Sequence, residues 1–266
     1  TSKPDNMNIL SKRKGWGSKT IENYGSDVIS ILKNPSADLP CGIDVSDLEV
    51  KQIPLKISTK SQIFLNEKQQ MAYDAIKNGY SVFLSGEAGT GKTEVIKKIR
   101  DDFSNTRKVA LTSTTGTSAL LLGGVTLHSY LGIGLGDGTA KWLANLIMGK
   151  AYLLKRWTQM EILVIDEISM LDPVLFDKLD KVARIVRGSK SPSKSTESWG
   201  GIKLLLSGDF LQLPVVGSDK FTFEAESWDD SIDEIVILTE NVRQQEDNEW
   251  KRILSEIRIG EVSKQT

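Results

Sequence analysis

The 266-residue chain holds a single cysteine, Cys41, and a single histidine, His128. One cysteine cannot close a disulfide within the chain, and one of each cannot build a Cys/His zinc site there. A reducing, intracellular compartment is the simpler expectation. Proline is sparse, and four of the seven, Pro4, Pro35, Pro40 and Pro54, precede residue 60. An excess of either charge is also missing, because 34 Lys and Arg stand against 35 Asp and Glu. Any affinity for nucleic acid must then come from a local basic surface and not from a global field. The opening residues lack the apolar stretch of a secretory signal. Residues 109–136 carry no Asp, Glu, Lys or Arg, yet half of them are Gly, Ser or Thr. That composition predicts loops and small-residue turns, not a membrane span.

What is present is the composition of an ordinary folded protein, 39% hydrophobic and 26% charged, at a length that suits one to two domains. Residues 1–60 are mixed, with basic Lys12, Arg13 and Lys14 and no sustained period, and read as an accessory or flexible extension. From Asn66 the pattern sharpens. Asn66 as N-cap, Gln69 three residues on, apolar Met71, Ala72 and Ile76 and a stop at Gly79 predict a helix. Five short apolar runs follow, at 82–84, 108–113, 161–167, 202–207 and 234–238, each ending in polar residues. Asp172, Pro173, the apolar series Leu175, Phe176, Leu179, Val182 and Val186, and Gly188 past the end predict another helix. Continuous apolar strands alternating with helices define an α/β class with a parallel sheet covered on both faces. Residues 189–200, rich in Ser and Lys, read as an exposed mobile loop, and no internal repeat is present. The six tryptophans are expected to be core or loop anchors, not base-stacking platforms.

The strongest motif is Gly86-Glu87-Ala88-Gly89-Thr90-Gly91-Lys92-Thr93, after a predicted strand and opening a helix that continues with Glu94. Its glycines allow backbone N–H groups to approach phosphates. Lys92 would reach the β- and γ-phosphates, and Thr93 would ligate magnesium. The run Ile162 to Glu167 supplies a second strand end, with Asp166 fitting a magnesium ligand and Glu167 a base for the attacking water. A third, Ser207 to Pro214, offers Gln212 as a sensor of the γ-phosphate, while Asp209 and Gln212 can equally be turn formers. The basic run Lys97, Lys98, Arg100 reads as a solvated helix face.

The ordered fragments GEAGTGKT, TSTTGTSA, GGVTLHSYLGIG, VIDEISM, GGIKLLLSGDFLQLP and LTENVRQ resemble the Pif family of superfamily 1 DNA helicases over about residues 64–260. The resemblance implies the first RecA-like domain, about residues 61–245, of an ATP-driven motor moving 5′ to 3′ on single-stranded DNA and at forks. Residues 246–266 would lead toward a second RecA-like domain of the same polypeptide. It further implies that Gln69 reads adenine, Asp166 binds magnesium, Glu167 is the catalytic glutamate and Gln212 the γ-phosphate sensor. Arg243 would neutralise the γ-phosphate in the transition state. Thr114, Thr115, Gly116 and Thr117, with Thr126, His128 and Ser129, match segments that hold the DNA backbone. A monomer with no membrane association is expected, nuclear or mitochondrial in a eukaryote and cytoplasmic or in a replication compartment otherwise.

Three departures from the family pattern stand out. Pro214 is followed by Val215 where a second proline is usual, one extra residue separates Gln244 from Asp247, and the chain reaches Thr266 without the second RecA-like domain. Two other classes compete: a small-molecule P-loop kinase, which would ignore DNA, and a non-catalytic nucleotide-gated module, against which intact Lys92, Asp166, Glu167 and Gln212 argue.

Overall fold

The computed structural model describes residues 64–240 apart from 104 and 216, together with 253, 256 and 257. Strands β1 (Val82–Gly86), β2 (Val109–Ser113), β3 (Val125–Thr126), β4 (Ile162–Asp166), β5 (Lys203–Gly208) and β6 (Glu234–Leu238) form a parallel sheet in the order β3-β2-β4-β5-β1-β6. The α/β class read from the sequence is the class observed.

Alternation along the central strands divides the core into two layers. Leu163 and Ile165 of β4, Leu204 and Leu206 of β5 and Phe83 of β1 face one side. They pack with α4 (Leu127–Leu131), α5 (Ala140–Met148), α6 (Ala151–Gln159) and α7 (Pro173–Gly188). Ile162, Val164, Leu205, Val82 and Leu84 face the other, under α1 (Glu67–Lys77) and α2 (Lys92–Phe103). All five residues of β4 are buried, which is why the strand reads as a continuous apolar run without a period of two. Each fully buried Leu, Ile or Val contributes about 1.5–3 kcal/mol of transfer free energy.

Local signals fix the helix ends. Asn66 accepts from the Gln69 amide at 2.9 Å and Gln69 Oε1 accepts from the Asn66 amide at 3.0 Å, a reciprocal capping box. Asp172 caps α7 through Leu175 N at 3.0 Å. Gly188 is the last helical residue and Ser189 the cap, one position beyond the expected stop.

Two expectations need correction. The uncharged stretch 109–136 is largely regular, with β2, α3 (Gly116–Leu122), β3 and α4 in succession. Thr115 caps α3 and left-handed Gly123 and Gly132 end α3 and α4, so short polar residues close short helices where composition suggested loops. Residues 189–200 are not a free loop either. Two 3₁₀ turns, Pro192–Ser195 and Ser198–Gly201, drive Trp199 into the core at 0% exposure. Its backbone N–H donates to Asp180 Oδ1 at 2.6 Å, its indole N–H donates to Ser231 Oγ at 3.1 Å, and its ring meets Phe176 edge-on. Trp157 and Trp228 are likewise buried anchors, whereas Trp142 is 55% exposed. Trp16 and Trp250 lie outside the described residues.

Candidate active site

The functional side chains gather at the C-terminal ends of the strands, where open parallel sheets bind ligands. The loop between β1 and α2 closes tightly. A Cβ on Gly86 would lie 2.7 Å from the Leu238 carbonyl and from Thr90 Oγ1, so only glycine fits there. Thr90 Oγ1 donates to the Glu87 carbonyl at 2.8 Å, and Lys92 Nζ reaches back to the carbonyls of Gly86 at 2.6 Å and Glu87 at 3.0 Å. The ammonium group is thus held over the loop whose N–H groups would cradle phosphates, at the N-terminus of α2.

Gln69 is 4% exposed, and its Nε2 donates to the Thr90 carbonyl at 3.1 Å. Both ends of its amide are engaged within the chain, one on the helix cap and one on the glycine loop.

Across the sheet, Asp166 is 7% exposed at the end of β4. Glu167 follows in the left-handed region, with φ 55° and ψ 46°. A non-glycine residue there carries strain of about 1–3 kcal/mol, a cost that clusters at functional sites. Burial pushes the Glu167 carboxyl above its usual range; neighbouring Asp166 and then Asp209 act in the same direction, and Lys92 partly opposes them. A half-buried carboxylate of raised basicity suits proton abstraction near neutral pH.

After β5, Asp209 is buried and Leu211 N donates to its Oδ1 at 3.1 Å, while Gln212 N donates to its carbonyl at 3.0 Å. Asp209 is therefore a turn former, and that turn carries Gln212 to the cavity wall. A cavity of about 570 Å³ is lined by Thr93 and Lys97 of α2, Thr115, Thr117 and Ser118, Asp166, Glu167 and Gln212, among others. Lys97, a member of the basic run read as a solvated face, pairs with Glu94 at 2.8 Å and also lines this cavity.

Ser118 and Ser169 were not singled out from the sequence. Ser118 Oγ donates to Asp166 Oδ2 at 2.6 Å, and Ser169 lines the cavity with a buried hydroxyl that lacks a partner. The fragments TSTTGTSA and DEISM contain them, yet nothing local distinguishes these serines from cap or turn residues.

Thr114, Thr115 and Gly116 flank the acidic pair, whereas Thr126, His128 and Ser129 lie on β3 and α4 at the sheet edge. Burial lowers the His128 pKa, so the ring is neutral at pH 7. Arg243 lies outside the described residues. Among the described residues no cluster of three His, Cys, Asp or Glu could hold a metal, but Thr93 and Asp166 share the cavity and offer hard oxygen donors. The orphaned Ser169 hydroxyl is also consistent with a hydrated ion there. No described helix is long and apolar enough to cross a membrane.

A glycine phosphate loop at β1, an acidic pair at β4 and a parallel sheet in which β5 lies between β4 and β1 define a RecA-like P-loop nucleotide-binding domain. The model of the PIF1-like helicase family matches residues 64–266, and the chain belongs to that family. It is 41% identical over 214 residues to the ATP-dependent DNA helicase PIF1 of Emericella nidulans, a match covering 77% of this chain and 28% of that protein. The crystal structure of Pif1 helicase from Candida albicans superposes with a TM-score of 0.71 at 35% identity, over 76% of this chain and 45% of the other. The Bacteroides Pif1 helicase in complex with ADP-AlF3 and single-stranded DNA gives a TM-score of 0.63 at 29% identity, over 76% of this chain and 48% of the other. The chain spans 28% to 40% of the length of the curated relatives it matches.

Proposed function

We propose that this chain is the ATP-binding and hydrolysing half of a 5′-to-3′ single-stranded DNA translocase and helicase acting in DNA replication, repair or recombination. The observation that carries this reading is the shared cavity. It brings Thr93, Asp166, Glu167 and Gln212 together, with Thr115 and Thr117 of the DNA-loop candidate on the same wall. The Bacteroides relative, solved with a nucleotide analogue and single-stranded DNA, supports it, as does a Pif1 structure described at forked double-stranded DNA.

Each residue then has a physical role. Backbone N–H groups from Gly86 to Thr93 and the Lys92 ammonium hold the phosphates. Thr93 and Asp166 would hold magnesium, which when bound supplies neutralising charge at the phosphate oxygens. Glu167 takes the proton of the attacking water, Gln212 senses the γ-phosphate, and Arg243 adds positive charge. Thr114 to Thr117, Thr126, His128 and Ser129 line the DNA side. A second RecA-like domain of the same polypeptide completes the track, so the isolated chain binds nucleotide, hydrolyses it slowly and separates no strands. A monomer in the nucleus or mitochondrion, or in the replication compartment of a bacterium or virus, is the matching setting.

The test is fluorescence anisotropy of a labelled single-stranded oligonucleotide at low salt, with and without a magnesium-bound ATP analogue. Salt-sensitive binding that changes with nucleotide is expected. Absence of binding both by this chain and by one extended beyond Thr266 would overturn the reading.

A further inference from the structure

The segment 113–118 is laced to the end of β4 by four hydrogen bonds. Thr114 N and Ser113 Oγ each donate to the Asp166 carbonyl at 3.2 Å, and Thr114 Oγ1 donates to the Glu167 carbonyl at 2.8 Å. These three hold backbone. The fourth, from Ser118 Oγ to Asp166 Oδ2 at 2.6 Å, reaches the carboxylate itself. Ser118 is also fixed to its own loop, because its N–H donates to the capping Thr115 Oγ1 at 3.3 Å. Between Thr115 and Ser118 lie Gly116 and Thr117, both exposed, and a Cβ added at Gly116 would meet nothing within 4 Å. An open two-residue tip therefore stands between Ser118, which ends on the Asp166 carboxylate, and the Thr114-Thr115 pair, of which Thr114 ends on the Glu167 backbone.

We propose that Ser118 is the positioning residue through which occupancy of the 116–117 tip by single-stranded DNA sets the direction of the Asp166 carboxylate. This rests on the reading of the cavity as a DNA-responsive nucleotide site. A phosphate backbone seated against Gly116 and Thr117 displaces the first turn of α3, and Ser118 lies in that turn. Its hydroxyl can follow the turn only by turning the Asp166 carboxylate or by giving up the bond, and either outcome changes the oxygen offered to the cation. Thr114 carries the same displacement to the Glu167 backbone, where the left-handed conformation leaves the chain little freedom to absorb it. Because coupling free energy is reciprocal, cation and nucleotide at Asp166 must alter DNA affinity by the factor with which DNA alters theirs. Ser118 touches no reacting atom in this scheme, so its removal leaves both ligands bound and uncouples them.

The experiment titrates magnesium into the 266-residue chain with a fluorescent, non-hydrolysable ATP analogue, with and without saturating oligo(dT). In the unmodified chain oligo(dT) is expected to shift the magnesium half-saturation by about fivefold or more. In Ser118→Ala the shift is expected to fall below about twofold, a loss of most of that coupling. The thermal midpoint should stay close to the parent, and each ligand should still bind when titrated alone. Ser118→Thr, which keeps the hydroxyl, is expected to restore the shift. An undiminished shift in Ser118→Ala overturns the inference and leaves the function standing, as does a parent chain that binds both ligands without coupling. A parent that binds neither ligand, alone or extended beyond Thr266, overturns the function and the inference with it.

Discussion

The Gln69 side-chain amide donates to the Thr90 carbonyl at 3.1 Å, which ties the first helix to the glycine loop. Because its Oε1 also completes the capping box with Asn66, Gln69 supports two structures at once. Gln69→Ala removes a cap contact and a buried hydrogen bond, each of which contributes about 1 kcal/mol. The expected outcome is a loss of about 1–3 kcal/mol in urea unfolding without any nucleotide present. Unchanged stability, with ATP binding alone weakened, would instead assign the side chain wholly to the base.

Glu167 offers a pH-resolved test. Burial, reinforced by Asp166, raises its folded pKa above the unfolded value. The stability it contributes is therefore present at acid pH and is lost as pH rises through the raised pKa. Glu167→Gln removes the cost of the buried charge, so its thermal midpoint should exceed the parent's at pH 8. The gap should close as the pH falls toward the ordinary carboxylate range. In a protein extended beyond Thr266 the same change should slow ATP turnover by about 10²–10⁴-fold while binding persists. Near-normal turnover would remove Glu167 from the base role.

Lys92 is bound to the carbonyls of Gly86 and Glu87. These are contacts at a half-buried site, so Lys92→Ala should move the thermal midpoint by only about 1–3 °C. Nucleotide affinity is expected to fall by about tenfold or more, read by titration with a fluorescent ATP analogue. Equal loss of fold and affinity would make the lysine a structural brace.

The legibility of this molecule follows the range of the interactions. The phosphate loop, the α1 and α7 caps and the central strands are set by residues within a few positions of one another, and the sequence shows them directly. The α5 helix is bounded by Thr139 and Gly149 after closely spaced glycines at 132, 134, 136 and 138, whereas α6 has no capping side-chain bond at Lys150 and no glycine stop at Met160, so its ends carry no local signal. Trp199 shows the opposite limit. Its flanks are Ser, Lys and Gly, the composition of a free loop, and its burial depends on Asp180, Phe176 and Ser231 from distant elements. The bond between Ser118 and Asp166 joins residues 48 positions apart and is created by the pairing of β2 with β4. No local pattern encodes it.

Trp199→Ala tests that anchor. Emptying a fully buried indole site costs about 3–5 kcal/mol, and the 3₁₀ turns on either side lose their attachment. Denaturant unfolding should show that loss, and limited proteolysis should begin to cut within 189–201 where the parent resists. Early cleavage of the parent at the same sites would restore the loop reading drawn from composition.

His128 distinguishes two kinds of DNA contact. Burial lowers its pKa, so the neutral ring is the form present at pH 7, and a neutral ring releases no counterion on binding a phosphate. His128→Ala should therefore weaken oligo(dT) binding at pH 7.5 without changing the slope of log affinity against log salt. A basic side chain on a phosphate would change that slope by about 1. The same lowered pKa has a stability consequence of opposite sign to that of Glu167. Its contribution is present above the unfolded value of about 6.5 and is lost as the pH falls from there through the lowered folded value. The thermal midpoint of the parent should thus drop relative to His128→Gln between pH 7 and pH 5. A slope reduced by one charge in His128→Ala would mean that the ring is charged where it meets the phosphate, and parallel midpoints across that interval would mean that folding does not lower its pKa.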